Sequence, residues 1–256
     1  MFSSMKRVVL LALLLAGTLA YGQHYETMRL TASMSEDGLY PGFGEARYSV
    51  GVSGEYAYNL TWGHYGNVNV QALLPLNEHF EMTAGVQAGF AGAYTGTVVL
   101  RPKFGLPVGE MFVDAGVLYK ALTVDRQHDF CAALSVGYRF DYLSVQVGMF
   151  SRVMSSFDRD WHSEETFNSE PFNVMYRVEV FCRPQRSRWN VSACVANYDD
   201  FQMERVWQPL FMLGGRYDVT DNWRVPLAAE CKLTGMFHLN AAYYGTNVRV
   251  GAEYRF

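Results

Sequence analysis

The chain has 256 residues, half of them hydrophobic and 15% aromatic, with 21 Lys and Arg against 25 Asp and Glu for a formal net charge of -4. That acidic balance gives no electrostatic support for nucleic-acid binding. After residue 22 no stretch approaches the ~18 uninterrupted apolar residues of a membrane-crossing helix, so helical spans are excluded.

At the start, Lys6 and Arg7 precede an apolar run from Val8 to Ala20, followed by Ala20-Tyr21-Gly22. A charged start, a short apolar stretch and a small-x-small site predict a secretory signal over residues 1–22, cut before Gln23. The apolar run is shorter than the ~20 residues that cross a bilayer, and it holds no Cys for lipid anchoring. Residues 23–44 carry turn signals at Ser35-Glu36-Asp37-Gly38 and Pro41-Gly42. They read as an arm or plug ahead of the main fold.

From residue 45 onward the pattern has a period of two, the side-chain period of a β-strand. Tyr48, Val50, Val52, Gly54, Tyr56 and Tyr58 alternate with Ser49, Gly51, Ser53, Glu55 and Ala57. The alternation returns in Val68 to Leu74, Phe80 to Phe90, a less regular segment from about 94 to 107, Val113 to Tyr119, Phe130 to Phe140, Leu143 to Met149, Phe172 to Val180, Trp189 to Val195, Trp207 to Tyr217 and Trp223 to Cys231. Pro102, which lacks a ladder donor, predicts a bulge or distortion in its strand.

Tight turns are expected near 76, 109, 141, 186 and 220, and longer connections near 62, 93, 126, 162, 201 and 240. The closing stretch, Thr246 to Phe256, puts Val248, Val250, Ala252, Tyr254 and Phe256 on one face and Asn247, Arg249, Gly251, Glu253 and Arg255 on the other. The strands number about twelve; a further strand near Met28 to Met34 leaves a fourteen-strand variant open.

Even strand number, alternating turn lengths and a terminal aromatic on the apolar face resemble the bacterial outer-membrane β-barrel superfamily, of a small porin-like kind. The resemblance spans residues 45–256 and rests on patterns rather than invariant motifs. It implies an all-β, closed antiparallel up-and-down barrel in the outer membrane of a Gram-negative bacterium, with both termini periplasmic. The implied partners are outer-membrane lipid, the barrel-assembly machinery during biogenesis and small solutes. A soluble all-β sandwich is the competing architecture.

Parity places Glu55, Arg101, Lys103, Asp114, Arg177, Glu179, Arg216, Glu230, Lys232, Arg249 and Glu253 on the inward face, with Glu81 and Arg139 beside them. Such charges either line a channel or pair into a rigid filling, because an unpaired buried ion costs several kcal/mol. In the long connection, Asp158, Asp160, Trp161, Glu164 and Glu165 form an acidic aromatic segment that is a candidate surface-binding loop, although a solvated loop is its ordinary reading.

No metal-ligand spacing and no phosphate loop is present, so no cofactor is implied. The only adjacent nucleophile and base, His162-Ser163, fall in a connection where nothing orients them; a membrane-embedded, lipid-modifying hydrolase is the remote alternative to a non-enzyme. Cys131 and Cys194 share the polar parity and Cys182 and Cys231 the apolar one, but on strands not expected to be neighbours, so the four thiols are expected to be unpaired. The sequence therefore points first to a passive solute channel. A non-conducting structural, surface-binding or secretion-machinery barrel is the second reading.

Overall fold

A computed structural model describes residues 48–60, 63–77, 79–89, 93–122, 127–140, 142–157, 165–182, 188–198, 208–234 and 242–256. These form twelve strands: β1 Ser49–Asn59, β2 Gly63–Asn77, β3 Phe80–Gly89, β4 Ala93–Gly105, β5 Glu110–Leu122, β6 Gln127–Arg139, β7 Leu143–Phe157, β8 Glu165–Cys182, β9 Trp189–Ala196, β10 Leu210–Asp218, β11 Trp223–Thr234 and β12 Ala242–Arg255. Each pairs antiparallel with its sequence neighbours, and β1 pairs with β12, so the sheet closes into a barrel. The closing register runs from Ser49 opposite Arg255 to Asn59 opposite Gly245. Phe256 N–H donates to the Tyr48 carbonyl at 2.9 Å beyond it. The expected signal and the arm or plug lie outside the described residues.

The burial pattern is inside out. Arg101, Arg177, Arg216, Arg224 and Arg249 are among the most deeply buried side chains, whereas Val52, Val86, Leu134, Val147 and Leu213 are half or more exposed. An apolar exterior in hydrocarbon leaves no water to satisfy a sheet edge, and closure removes the edge. A sandwich would bury the valines and expose the arginines. The chain is therefore a transmembrane barrel.

Aromatic residues frame the apolar exterior. At the end where β1 begins and β12 finishes, Trp189 and Tyr217 meet tilted at 4.8 Å, and Trp223 with Tyr254 at 4.9 Å and Tyr254 with Phe256 at 5.0 Å meet edge to face, between ring centres. At the other end Tyr56, Tyr94, Tyr119, Phe130 and Tyr243 are exposed. Tyr48 and Tyr56 of the first strand segment stand eight residues apart, which is ~26 Å of strand and ~20 Å of height at a tilt of ~40°. That spacing fits rings with one wet end at each face of a hydrocarbon layer.

Three details differ from the sequence reading. Pro102 produces no bulge: the β4 to β5 register is the same on either side of it, from Leu100 opposite Ala115 to Lys103 opposite Phe112. Its missing donor interrupts the ladder without shifting it. Register shifts occur instead at Pro75/Asn77, Phe150/Arg152 and Lys232/Leu233.

The connections at 60–62 and 90–92 are as short as those on the opposite end, because the strands run past where the alternation fades. Only 158–164, 197–209 and 235–241 make the far end the longer-looped one. Finally, Glu110 opens β5 rather than closing a turn. The turn before it is made by Gly109, whose φ of +94° an L side chain rarely adopts.

Candidate functional site

Strand pleat sends alternate side chains into the barrel, and the twist and register bring those of neighbouring strands level. The inward charges meet as cross-strand and diagonal pairs. Arg249 of β12 and Glu55 of β1 pair at 2.5 Å, and Arg139 of β6 and Glu110 of β5 at 2.9 Å. Arg224 of β11 reaches Asp218 of β10 at 3.1 Å and Glu253 of β12 at 3.3 Å.

Arg101 forms a fork with Asp114, and Lys103 pairs with Glu81. Along single strands Arg177 pairs with Glu179 and Arg216 with Asp218, the latter at 3.2 Å. Those pairs use seven cations and seven anions. Farther up, Arg152 Nε donates to Asp129 at 2.9 Å.

Neutral groups extend the network. Glu55 also accepts from Asn67 at 2.6 Å and Gln87 at 3.4 Å. Gln146 donates to Asp114 at 2.7 Å and Ser135 at 2.6 Å, and accepts from the Tyr198 hydroxyl at 2.7 Å. The Arg101 guanidinium lies 4.1 Å over the Phe112 ring, a cation-π contact. A β-carbon on Gly137 would sit 2.2 Å from that ring, so the ring rests directly on the glycine.

Arg101, Lys103, Arg177, Glu179, Arg216, Arg249, Glu253 and Glu55 are buried and paired, and Asp114 is partly buried against Arg101. Glu230 is buried, and the Lys232 ammonium stands 5.2 Å over the Tyr244 ring. Sequence reasoning left Glu110, Asp129, Arg152, Asp218, Arg224 and Tyr198 off the candidate set. Arg224 already shares the polar parity within Trp223 to Cys231, and extending the parity by one to three residues at strand ends reaches the other five.

Apolar residues on the inward parity were also passed over. Leu73, Phe112, Leu118, Phe150, Met175, Phe181, Leu210 and Met212 are buried inside the barrel. A simple polar-in rule fails here because a filled lumen is itself a core.

Of the acidic aromatic segment, Asp158, Asp160, Trp161 and Glu164 lie outside the described residues, and only the backbone of Glu165, in β8, is described. The four cysteines are free, Cys131 and Cys194 buried on the inner face. Among the described residues no group of His, Cys, Asp and Glu is arranged to hold a metal ion. His64 and His128 sit on the outer face, each hydrogen-bonded to a tyrosine, Tyr56 and Tyr119.

No protein-family model matches the chain, and no curated protein matches it in sequence. Solved structures do match in shape. The chain is similar to the NanC porin, with a TM-score of 0.53 and 9% identity over 81% of this chain and all of that one. The chain has the outer-membrane β-barrel fold. It is also similar to the translocator domain of the autotransporter NalP from Neisseria meningitidis, with a TM-score of 0.50 and 13% identity over 90% of this chain and 95% of that one. One neighbour is called a porin and the other a translocator domain, so the shared barrel fixes architecture and leaves the function to the lumen.

Proposed function

We propose that this protein is a channel of the Gram-negative outer membrane that passes small solutes through a narrow lumen lined by both signs of charge, with both termini on the periplasmic side. The observation that carries this reading is a lining of balanced ion pairs interspersed with inward polar atoms that have no hydrogen-bond partner among the described residues. These include Asn69 Oδ1, Thr83 Oγ1, Thr95 Oγ1, both amide atoms of Asn190 and Arg224 Nη2. Buried polar groups are satisfied by protein or by water, so such a lining calls for a wetted interior. A barrel needing only rigidity is served as well or better by apolar packing, since buried ion pairs seldom repay their desolvation. Equal numbers of opposite charges favour neutral or zwitterionic cargo over ions of one sign.

The second reading is a non-conducting barrel that presents its loops, with Asp158, Asp160, Trp161, Glu164 and Glu165 as the binding segment. The near-complete burial of five arginines and of Phe112 and Phe150 favours it, because side chains then fill one level of the barrel. Single-channel recording on the purified protein in planar bilayers separates the two. Discrete conductance steps support the channel, and silence across voltage and salt overturns it.

A further inference from the structure

The outer wall is recessed over β9 to β11. At one level Ala193 of β9 and Ala229 of β11 stand either side of Leu213 of β10, and one level toward the loops Val195 and Cys231 stand either side of Phe211. All six face outward, because strand pleat turns the buried Cys194, Met212 and Glu230 between them inward. Yet Val195, Phe211 and Cys231 are half-buried, whereas the outward Val52, Val86 and Val147 of other strands are half or more exposed. Beside the two alanines lies a groove of about 560 Å³ that is bordered by Val178 and Val180 of β8 and by Thr246 of β12.

The groove lies within the apolar belt. The outward rows that hold Ala193 and Ala229 begin at Trp189 and Trp223, in the aromatic frame at the end where β1 begins. On the loop side the hydroxyl of exposed Tyr243 meets that of Thr246 at 2.8 Å. The outward side chains around the groove are otherwise hydrocarbon apart from the Cys231 thiol, so water would find few partners there.

Its shape narrows the choice of occupant. Two side-chain levels span ~7 Å of strand, less than the ~10 Å of a helix with its side chains. A second barrel presents a convex wall, which would ride on Leu213, 60% exposed, rather than fill the space beside it. A single hydrocarbon chain is slender enough, and the surrounding phase supplies it.

We propose that this groove seats one acyl chain of a membrane lipid and holds it longer than the rest of the belt holds its neighbours. The gain is not one of hydrophobic transfer, since the chain exchanges one apolar setting for another. It comes from dispersion: a chain in the groove touches protein at its floor and both flanks, where a chain against a convex wall touches it along one side. Such seating requires the membrane location and is indifferent to whether the lumen conducts.

The test uses the purified protein in phosphatidylethanolamine and phosphatidylglycerol vesicles, with a trace of phosphatidylethanolamine carrying a diazirine midway along one acyl chain. After ultraviolet activation, peptides of β9 to β11 should carry about fivefold more lipid than peptides of β5 to β7. Ala193→Phe with Ala229→Phe fills the groove and should bring the two regions level. Ala132→Phe, on the outer face of β6, should leave the pattern of the parent. Heat-dependent gel mobility confirms folding, and Ala229→Leu alone, a smaller filling, should give a partial loss should the double variant not fold.

Even labelling of the parent around the barrel overturns the proposal, as does enrichment at β9 to β11 that survives filling in a folded variant. Labelling of β9 to β11 below that of β5 to β7 overturns it as well, because a second copy then covers the groove.

Discussion

Glu55 on the first strand lies directly opposite Arg249 on the last, and their side chains pair at 2.5 Å inside the seam that closes the barrel. Both are buried. Removing the cation leaves a buried carboxylate with the amides of Asn67 and Gln87 as its remaining side-chain partners among the described residues. Arg249→Met should destabilise the folded barrel by about 3 kcal/mol, and Glu55→Gln combined with Arg249→Met should recover most of it. Urea unfolding of the four proteins in lipid vesicles gives the coupling; additive losses would show that the pair contributes nothing specific to closure.

Lumen charge balance predicts selectivity. The paired cations and anions cancel, so the parent channel should discriminate weakly between potassium and chloride. Arg224→Gln leaves Asp218 and Glu253 with one partner fewer. The reversal potential in a salt gradient should then shift toward cation preference, and an unchanged potential would place the conducting path away from β10 to β12.

The outer face should reject charge according to depth. Val147, the fifth residue of β7 and more than half exposed, faces the apolar belt. Val147→Arg should cost about 2 to 4 kcal/mol, whereas an arginine in place of Tyr142, beside the turn, should cost ~1 kcal/mol or less. Equal costs at the two positions, measured by unfolding in bilayers, would be inconsistent with a hydrocarbon-facing belt.

Gly137 lies under the Phe112 ring, which in turn lies under the Arg101 guanidinium. Gly137→Ala pushes the ring off its seat and should destabilise the barrel by about 1 to 3 kcal/mol. Phe112→Leu in the same chain should relieve part of that loss. No relief in denaturant unfolding would mean that the glycine is needed for the backbone rather than for the ring.

Much of this architecture is legible in the sequence because an antiparallel barrel is a local code. Each strand announces its outward face by alternation, from Val50 and Val52 to Tyr254 and Phe256, and an even strand count lets the first strand pair antiparallel with the last. The same parity sorts charged from apolar side chains strand by strand. It faltered at strand ends, where Glu110 and Asp129 look like turn residues, and at Phe112 and Met212, where an apolar side chain points inward.

By itself, then, the sequence determined a closed antiparallel barrel with charges inside, since a period of two and turn spacing are properties of neighbouring residues along one chain. Only the tertiary structure decided which charges meet, that Arg249 closes on Glu55 and that Gln146 reaches Tyr198 across an intervening strand. Those contacts join residues 194 and 52 positions apart. Register and barrel curvature set such distances, and neither is written in the pattern of any single strand.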